Sequence, residues 1–417
     1  MIKTKDTTST SQASQEAFQS DRNAQSMAEY IGSYLKRVRS GDLGSLPIIL
    51  GIIMIALIFQ SQNENYLTPR NFVNLIVQMA GITTMAIGVV YVLLLGEIDL
   101  SIGYVSAVGG VSMTLLLGGA EGWPWYLAIP AALGAVAVVG LLQGLIITQF
   151  QVPSFVVTLA GLLAWNGVVL ILVGRSGTII IQDQVVIGIA NYYLPTAGGW
   201  AAAALLVAAY GLNQIRQMQG RKSQGLSTKP IMVVGLEVLF LAILAGGAVY
   251  IANQDRGVPF VGLLLILLLA GFSFIATRTQ FGRYVYAVGG NKEAARRAGI
   301  AVERIRIAVF MISSVMAGMG GIILASRLRS VATDAGGGNL LLNAIAAAVI
   351  GGTSLFGGSG HVSSALLGAL VIASVENGMG LLGLSSGVKF IITGLVLLVA
   401  VLVDSLSRRS RARSGIA

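Results

Sequence analysis

From about residue 46 to 404 the chain alternates apolar stretches of near membrane-spanning length with short links, a pattern that few folds accommodate. In a bilayer core every backbone N–H and C=O must bond within the protein, so a run of about 20 apolar residues reads as a spanning helix. Such stretches lie near 46–60, 71–95, 101–119, 123–149, 153–173, 200–213, 231–252, 259–276, 307–326, 341–357, 362–382 and 388–404. The sixth and tenth are the weakest by length. Only 11% of the residues are charged, against about 25% in a soluble domain, and the mean hydropathy is +0.81. The expected fold is therefore all-α: a polytopic membrane helix bundle with about ten to twelve spans. Broken or re-entrant helices are expected near 96–103 and 351–360.

Charge gives the orientation. Of the 27 Lys and Arg, all but Arg70, Arg175, Arg256, Arg327, Arg329 and Lys389 fall in four clusters. These are the N-terminal tail, the link after the sixth stretch, the link after the eighth, and the C-terminal tail. Placing the N-terminus in the cytoplasm puts all four on the side that the positive-inside bias favours. The net charge of +10 is then mostly an orientation signal, with some attraction to anionic membrane lipid, and no nucleic-acid partner is expected. The expected organisation is a disordered cytoplasmic tail over 1–45, a transmembrane domain over 46–406 containing a cytoplasmic loop at 277–306, and a basic cytoplasmic tail over 407–417. The first apolar stretch lies deep in the chain and lacks a small-residue cleavage site, which argues against a cleaved signal peptide.

Three segments are dense enough in chemistry to single out. Between two apolar stretches, Leu95 to Gly103 carries Glu97, Asp99 and Ser101. A carboxylate at a span centre costs roughly 2.5–3.5 kcal/mol, so the pair needs compensation. It is read either as a tight turn in which Asp99 and Ser101 cap the next helix or as a helix break lining a pathway. In Gly282 to Ile300, Gly289 and Gly290 permit a turn, Asn291 is a plausible N-cap, Lys292 to Ala298 suits about two helical turns, and Gly299 suits a C-cap. Ala294, Ala295 and Ala298 make that helix small enough to dock in another protein; the plainer alternative is a helical basic loop. The third segment, Ala346 to Ser363, is rich in Gly, as expected of a broken helix covered by protein or by a water-filled cavity; His361 reads as a hydrogen-bonded or interfacial residue rather than a proton relay or ligand.

Asn74, Gln78, Asn166, Asn343, Glu376 and Asn377 are polar groups inside apolar stretches and form a candidate translocation path, although amides more often bond across helices. Glu237 stands early in its stretch and reaches the interface. The chain has no Cys and one His, which excludes thiol chemistry and a multi-His metal site. No G-x-x-x-x-G-K-[ST] occurs, so no P-loop is present to bind ATP. No constellation for nucleophilic or metal catalysis appears, and the chain is read as a non-enzyme without a cofactor or metal of its own.

These segments resemble the ribose/xylose-type permeases of bacterial sugar ABC importers, and the xylose-type members most. The resemblance is carried by Gly96 to Gly103, Val152-Pro-Ser-Phe-Val-Val-Thr-Leu-Ala160, Gly282 to Ile300, Ala344 to Ser354, and Glu376 to Leu384, in that order. It implies the bacterial inner membrane, a homodimer, ATPase subunits holding ATP and Mg on the cytoplasmic face, and a soluble sugar-binding protein outside. It also implies that Gly289, Gly290, Asn291, Glu293, Ala294, Ala295 and Gly299 belong to the ATPase-coupling loop. Xylose leads among the implied sugars, with arabinose, galactose, glucose and ribose open. One departure is Leu341-Leu-Asn343, where relatives carry Glu-Leu-Asp. The rival reading, an ion-coupled secondary sugar transporter acting alone, would draw on Glu97, Asp99, Glu237 and Glu376.

Overall fold

The computed structural model describes residues 46–118, 122–226, 228–396 and 398; the two predicted tails and the end of the last apolar stretch lie outside them. The described chain is a helix bundle. The helices are α1 (Leu46–Gln62), α2 (Pro69–Leu94), α3 (Ile102–Leu116), α4 (Trp125–Gln149), α5 (Ser154–Val173), α6 (Gln184–Asn191), α7 (Thr196–Ser223), α8 (Ile231–Ala252), α9 (Phe260–Arg278), α10 (Gln280–Gly290), α11 (Lys292–Arg297), α12 (Val302–Leu328), α13 (Leu340–Ile350) and α14 (Ser364–Leu381), then α15 (Ser386–Val396). Each apolar stretch of the sequence overlaps one of these helices, although the stretch over 341–357 is helical only to Ile350 and the last is described only in its first part. Among the described residues seven helices are long and apolar enough to cross a membrane: α2, α4, α5, α8, α9, α12 and α14. Helices α1, α3, α13 and α15 are apolar but shorter. Helix α7 is long, but its second half is polar, ending in Arg221 and Lys222.

One element escaped the all-α expectation. β1 (Thr178–Ile180) pairs antiparallel with β2 (Ser330–Ala332), in the register Thr178 to Ala332 and Ile180 to Ser330. Three residues of strand leave too little alternation to read from sequence.

The chain divides into two compact units. The smaller takes Leu194–Val258 and is a hairpin of α7 and α8, closed at its base by Leu194 N–H to the Val258 carbonyl at 2.8 Å. Inside it Glu237 accepts from Tyr210 at 3.2 Å, Gln214 at 3.0 Å and Lys229 at 2.7 Å. Its interface position thus becomes a clasp between the two helices.

In the larger unit, α12 is the central helix, packed against α2, α3 and α4. Small residues set that approach, because in a membrane close backbone contact replaces the hydrophobic drive between helices. A Cβ on Gly109 of α3 would stand 2.6 Å from the Gly318 Cα of α12, and one on Gly321 would strike the Ser106 carbonyl oxygen. Helix α2 is buried along most of its length. By contrast α1 buries no residue and exposes Leu50, Met54 and Leu57, the all-round apolar surface of a lipid-facing helix.

Candidate functional site: a convergence of four loops

The bundle interrupts itself where the sequence is richest in Gly and carboxylate. Helix α2 stops at Leu94 and α3 starts at Ile102, leaving 95–101 irregular, with Gly96 at φ +71°. Between α13 and α14 the chain is again irregular, with positive φ at Gly352, Gly357, Gly358 and Gly360. These two breaks meet each other and the end of α10. Gly358 N–H donates to the Leu94 carbonyl at 2.9 Å. A Cβ on Gly289 would fall inside that same carbonyl and 2.8 Å from the Gly358 nitrogen, and a Cβ on Gly357 would meet Gly96 N at 2.9 Å. Tyr286 OH of α10 donates to the Gly360 carbonyl at 2.8 Å. Gly289 therefore serves close backbone approach at a helix end rather than the turn expected of it, while a Cβ on Gly290 would meet open space.

The fourth loop is the α4–α5 corner, and it delivers side chains that the sequence reading left without a role. Ser154 Oγ accepts from Ile98 N–H at 3.3 Å, and Thr158 Oγ1 accepts from Leu100 N–H at 3.0 Å. Both residues stand in the Val152 to Ala160 motif, one helical turn apart, so a single face of α5 satisfies the orphan donors of the break.

The two carboxylates of the break both reach α12. Glu97 pairs with Arg306 at 2.6 Å, with side chains only 14% and 6% exposed. Asp99 accepts from Ser313 Oγ at 2.9 Å, from Ser101 Oγ at 2.7 Å and from Ser101 N–H at 3.0 Å. Arg306 and Ser313 sit two turns apart, about 20° off a common face of the helix. The Glu-x-Asp spacing thus matches the spacing of two receptors on one α12 face. Removing one partner of a buried ion pair costs about 3–5 kcal/mol, because the other charge stays buried alone. Ser101 does not cap α3 with its side chain; its hydroxyl bridges Asp99 to Gln143 of α4, whose Nε2 donates to it at 2.9 Å. The capped-turn reading is corrected to that extent. Arg306, Ser313 and Gln143 were missed as site residues; the available signal was a cation opening an apolar stretch within reach of two carboxylates.

Helix α11 forms as expected. Asn291 caps it, its Oδ1 accepting from Ala294 N–H at 2.9 Å, and Gly299 ends it at φ +82°. Glu293 pairs with Arg296 at 3.0 Å. Ala295 is buried at 4% exposure, so the outward face belongs to Asn291, Glu293, Ala294, Arg296 and Arg297. Lys292 is held below the usual ammonium range, chiefly by burial, with the positive charge of Arg306 adding to it and Glu97 opposing.

The intramembrane amides fall into two groups. Asn377 and Asn71 exchange bonds at 2.7 and 2.9 Å, and Asn377 also donates to Gln78 at 3.2 Å. Asn74 shares that face of α2 by spacing. Asn343 donates to Glu376 at 2.6 Å, and the charges of Arg327 and Lys389 lie within electrostatic reach of that carboxylate. Asn166, on α5, bonds to neither group. Among the described residues no cluster of three His, Cys, Asp or Glu is placed to hold a metal ion.

The family described as the branched-chain amino acid transport system permease component matches residues 71–401. The xylose transport system permease protein of Escherichia coli K12 is 41% identical over 382 residues, covering 89% of this chain and 94% of its own. That of Haemophilus influenzae is 35% identical over 89% of this chain and 99% of its own. The ribose import permease protein of Bacillus subtilis is 30% identical over 90% of this chain and 98% of its own. No solved structure gives a significant match. The matched span contains all four converging loops, and the chain belongs to this family of transport-system permease components.

Proposed function

We propose that this chain is the membrane-spanning subunit of an ATP-driven importer of a monosaccharide, D-xylose or a closely related pentose or hexose, delivered by a soluble binding protein. The observation that carries the reading is the identity with xylose permeases across nearly the whole chain. Energy enters from separate ATPase subunits, which hold ATP and Mg. They seat on the outward face of α11, while Gly289, Gly290 and Gly299 set the geometry of its base. Two copies of the chain form the conduit, with ten to twelve spans per copy, both termini in the cytoplasm, and residence in the bacterial inner membrane. Within the conduit, Asn74, Gln78, Asn343, Glu376 and Asn377 are the polar groups offered to sugar hydroxyls, with Asn166 further off on α5.

The convergence of 95–101, the α4–α5 corner, α10–α11 and 351–363 supports this reading, because all four links belong to the set that the charge pattern assigns to the cytoplasm. A force applied at α11 would meet the break directly. The test is reconstitution of the chain with its ATPase and binding protein in liposomes. ATP-dependent xylose uptake is expected. No uptake of xylose or of related sugars, with ATP hydrolysed, would refute the proposal.

A further inference from the structure

We infer that the Glu97–Arg306 ion pair is the positioning link through which movement of α11 reaches the break between α2 and α3. The inference rests on the reading of α11 as the ATPase seat and adds the residues that transmit the motion.

Helix α11 is fastened to the first turn of α12. Arg296 bridges Glu293 at 3.0 Å and Glu303 at 2.7 Å. Backbone bonds from Gly299 N–H to Arg296 O at 3.0 Å and Ile300 N–H to Ala295 O at 3.1 Å close the corner. Arg306 lies one turn further along α12 and holds Glu97. Displacing α11 therefore displaces Arg306 with it. Apart from Ser313 on the same α12, the other side-chain anchors of the break belong elsewhere. Ser154 and Thr158 come from α5, and Gln143, reached through Ser101, comes from α4. None of these elements is part of the coupling segment.

The break is thus held between a moving and a standing partner. Irregular backbone is where hinge motion is absorbed, since φ and ψ can change there without breaking a helix ladder. Two turns deeper, the Asp99–Ser313 bond joins the same helix to the same break through a neutral hydroxyl. Only the outer bond joins two opposite charges, Arg306 buried and Glu97 largely so, and so demands that its partners move together. Lys292 of α11 sits in the field of both members.

The test uses the full chain assembled with its ATPase and binding protein in liposomes. Glu97→Gln, Arg306→Gln, Glu97→Asp and the swap Glu97→Arg with Arg306→Glu are compared for assembly, ATP hydrolysis and sugar uptake. The chain contains no Cys and Ile98 in the break is 39% exposed, so Ile98→Cys reports on the break through its thiol-labelling rate with and without nucleotide. Each Gln variant is expected to lower uptake per ATP about tenfold, the scale of a typical coupling energy. It should also abolish the nucleotide-dependent change in Ile98→Cys labelling, a readout that a merely structural pair would not move. The swap should restore both to within about threefold. If the Gln variants fail to assemble, Glu97→Asp decides, because it keeps the charge and shortens the reach: assembled but uncoupled supports the link. Unchanged uptake per ATP in an assembled variant, or unchanged nucleotide response at Ile98→Cys, overturns it. A wild-type complex that hydrolyses ATP yet moves no sugar refutes the transport reading itself, and the link with it, before any variant is compared.

Discussion

Two adjacent glycines at the end of α10 should respond oppositely to the same methyl group. A Cβ on Gly289 would lie inside the Leu94 carbonyl oxygen, 2.8 Å from the Leu94 carbon and 2.8 Å from the Gly358 nitrogen, whereas Gly290 has nothing within 4 Å. All three obstacles at Gly289 are backbone atoms of two other loops, so no rotamer change relieves them. Overpacking of this kind costs about 1–3 kcal/mol. Prising α10 away also endangers the Gly358 to Leu94 hydrogen bond of 2.9 Å, worth about 0.5–1.5 kcal/mol net. Against this, Ala is favoured over Gly in a helix by up to about 1 kcal/mol. Gly289→Ala should therefore destabilise by about 1–3 kcal/mol, while Gly290→Ala, free of obstacles, is neutral or stabilising by up to about 1 kcal/mol. Equilibrium unfolding of the two purified variants in one detergent measures the difference directly. Midpoints agreeing to within about 0.5 kcal/mol would refute the convergence of α10 with the two breaks, since a random surface substitution moves stability by no more than that.

Other expectations follow from the same contacts. Asn291→Ala removes the cap of α11, a helix of only six residues; losing about 1 kcal/mol there should raise amide exchange in 292–297 about fivefold, and Asn291→Asp should restore protection. Gly321→Ala drives a methyl into the Ser106 carbonyl and should cost about 1–3 kcal/mol in the same unfolding assay, whereas Gly235→Ala, which faces open space, should cost little. Glu237→Gln loosens a half-exposed clasp, with side chains 43% and 27% exposed across the pair; the loss should stay under about 1 kcal/mol and shrink in high salt. Sugar uptake should persist in that variant. Its abolition would favour an ion-coupled transporter.

The sequence made the helices legible because lipid permits so few alternatives, and the breaks legible because Gly beside carboxylate at membrane depth demands an explanation. Asn291 and Gly299 could be placed as caps because capping is local. What stayed hidden is what joins distant segments. Ser154 and Thr158 sit in a motif that was plain to see, but their partners, Ile98 and Leu100, lie more than fifty residues away. Arg306 was counted only as one more basic residue, since the pattern of charge along a chain gives a side and never a partner. The role of Gly289 was misjudged for a related reason: a glycine read alone offers a turn, and only the Leu94 carbonyl pressed against it shows that the need was for space. β1 and β2 were too short to carry a period.

Coupling to an ATPase depends on which side of the membrane α11 faces. Arg296 is 45% exposed at its side chain, and the absence of native Cys makes Arg296→Cys a single reporter thiol. Treated with a membrane-impermeant maleimide, it should stay unlabelled in intact cells, label fully in inverted membrane vesicles, and be protected there by added ATPase subunit. Labelling from the outside of intact cells would contradict the orientation and the seating of the ATPase together.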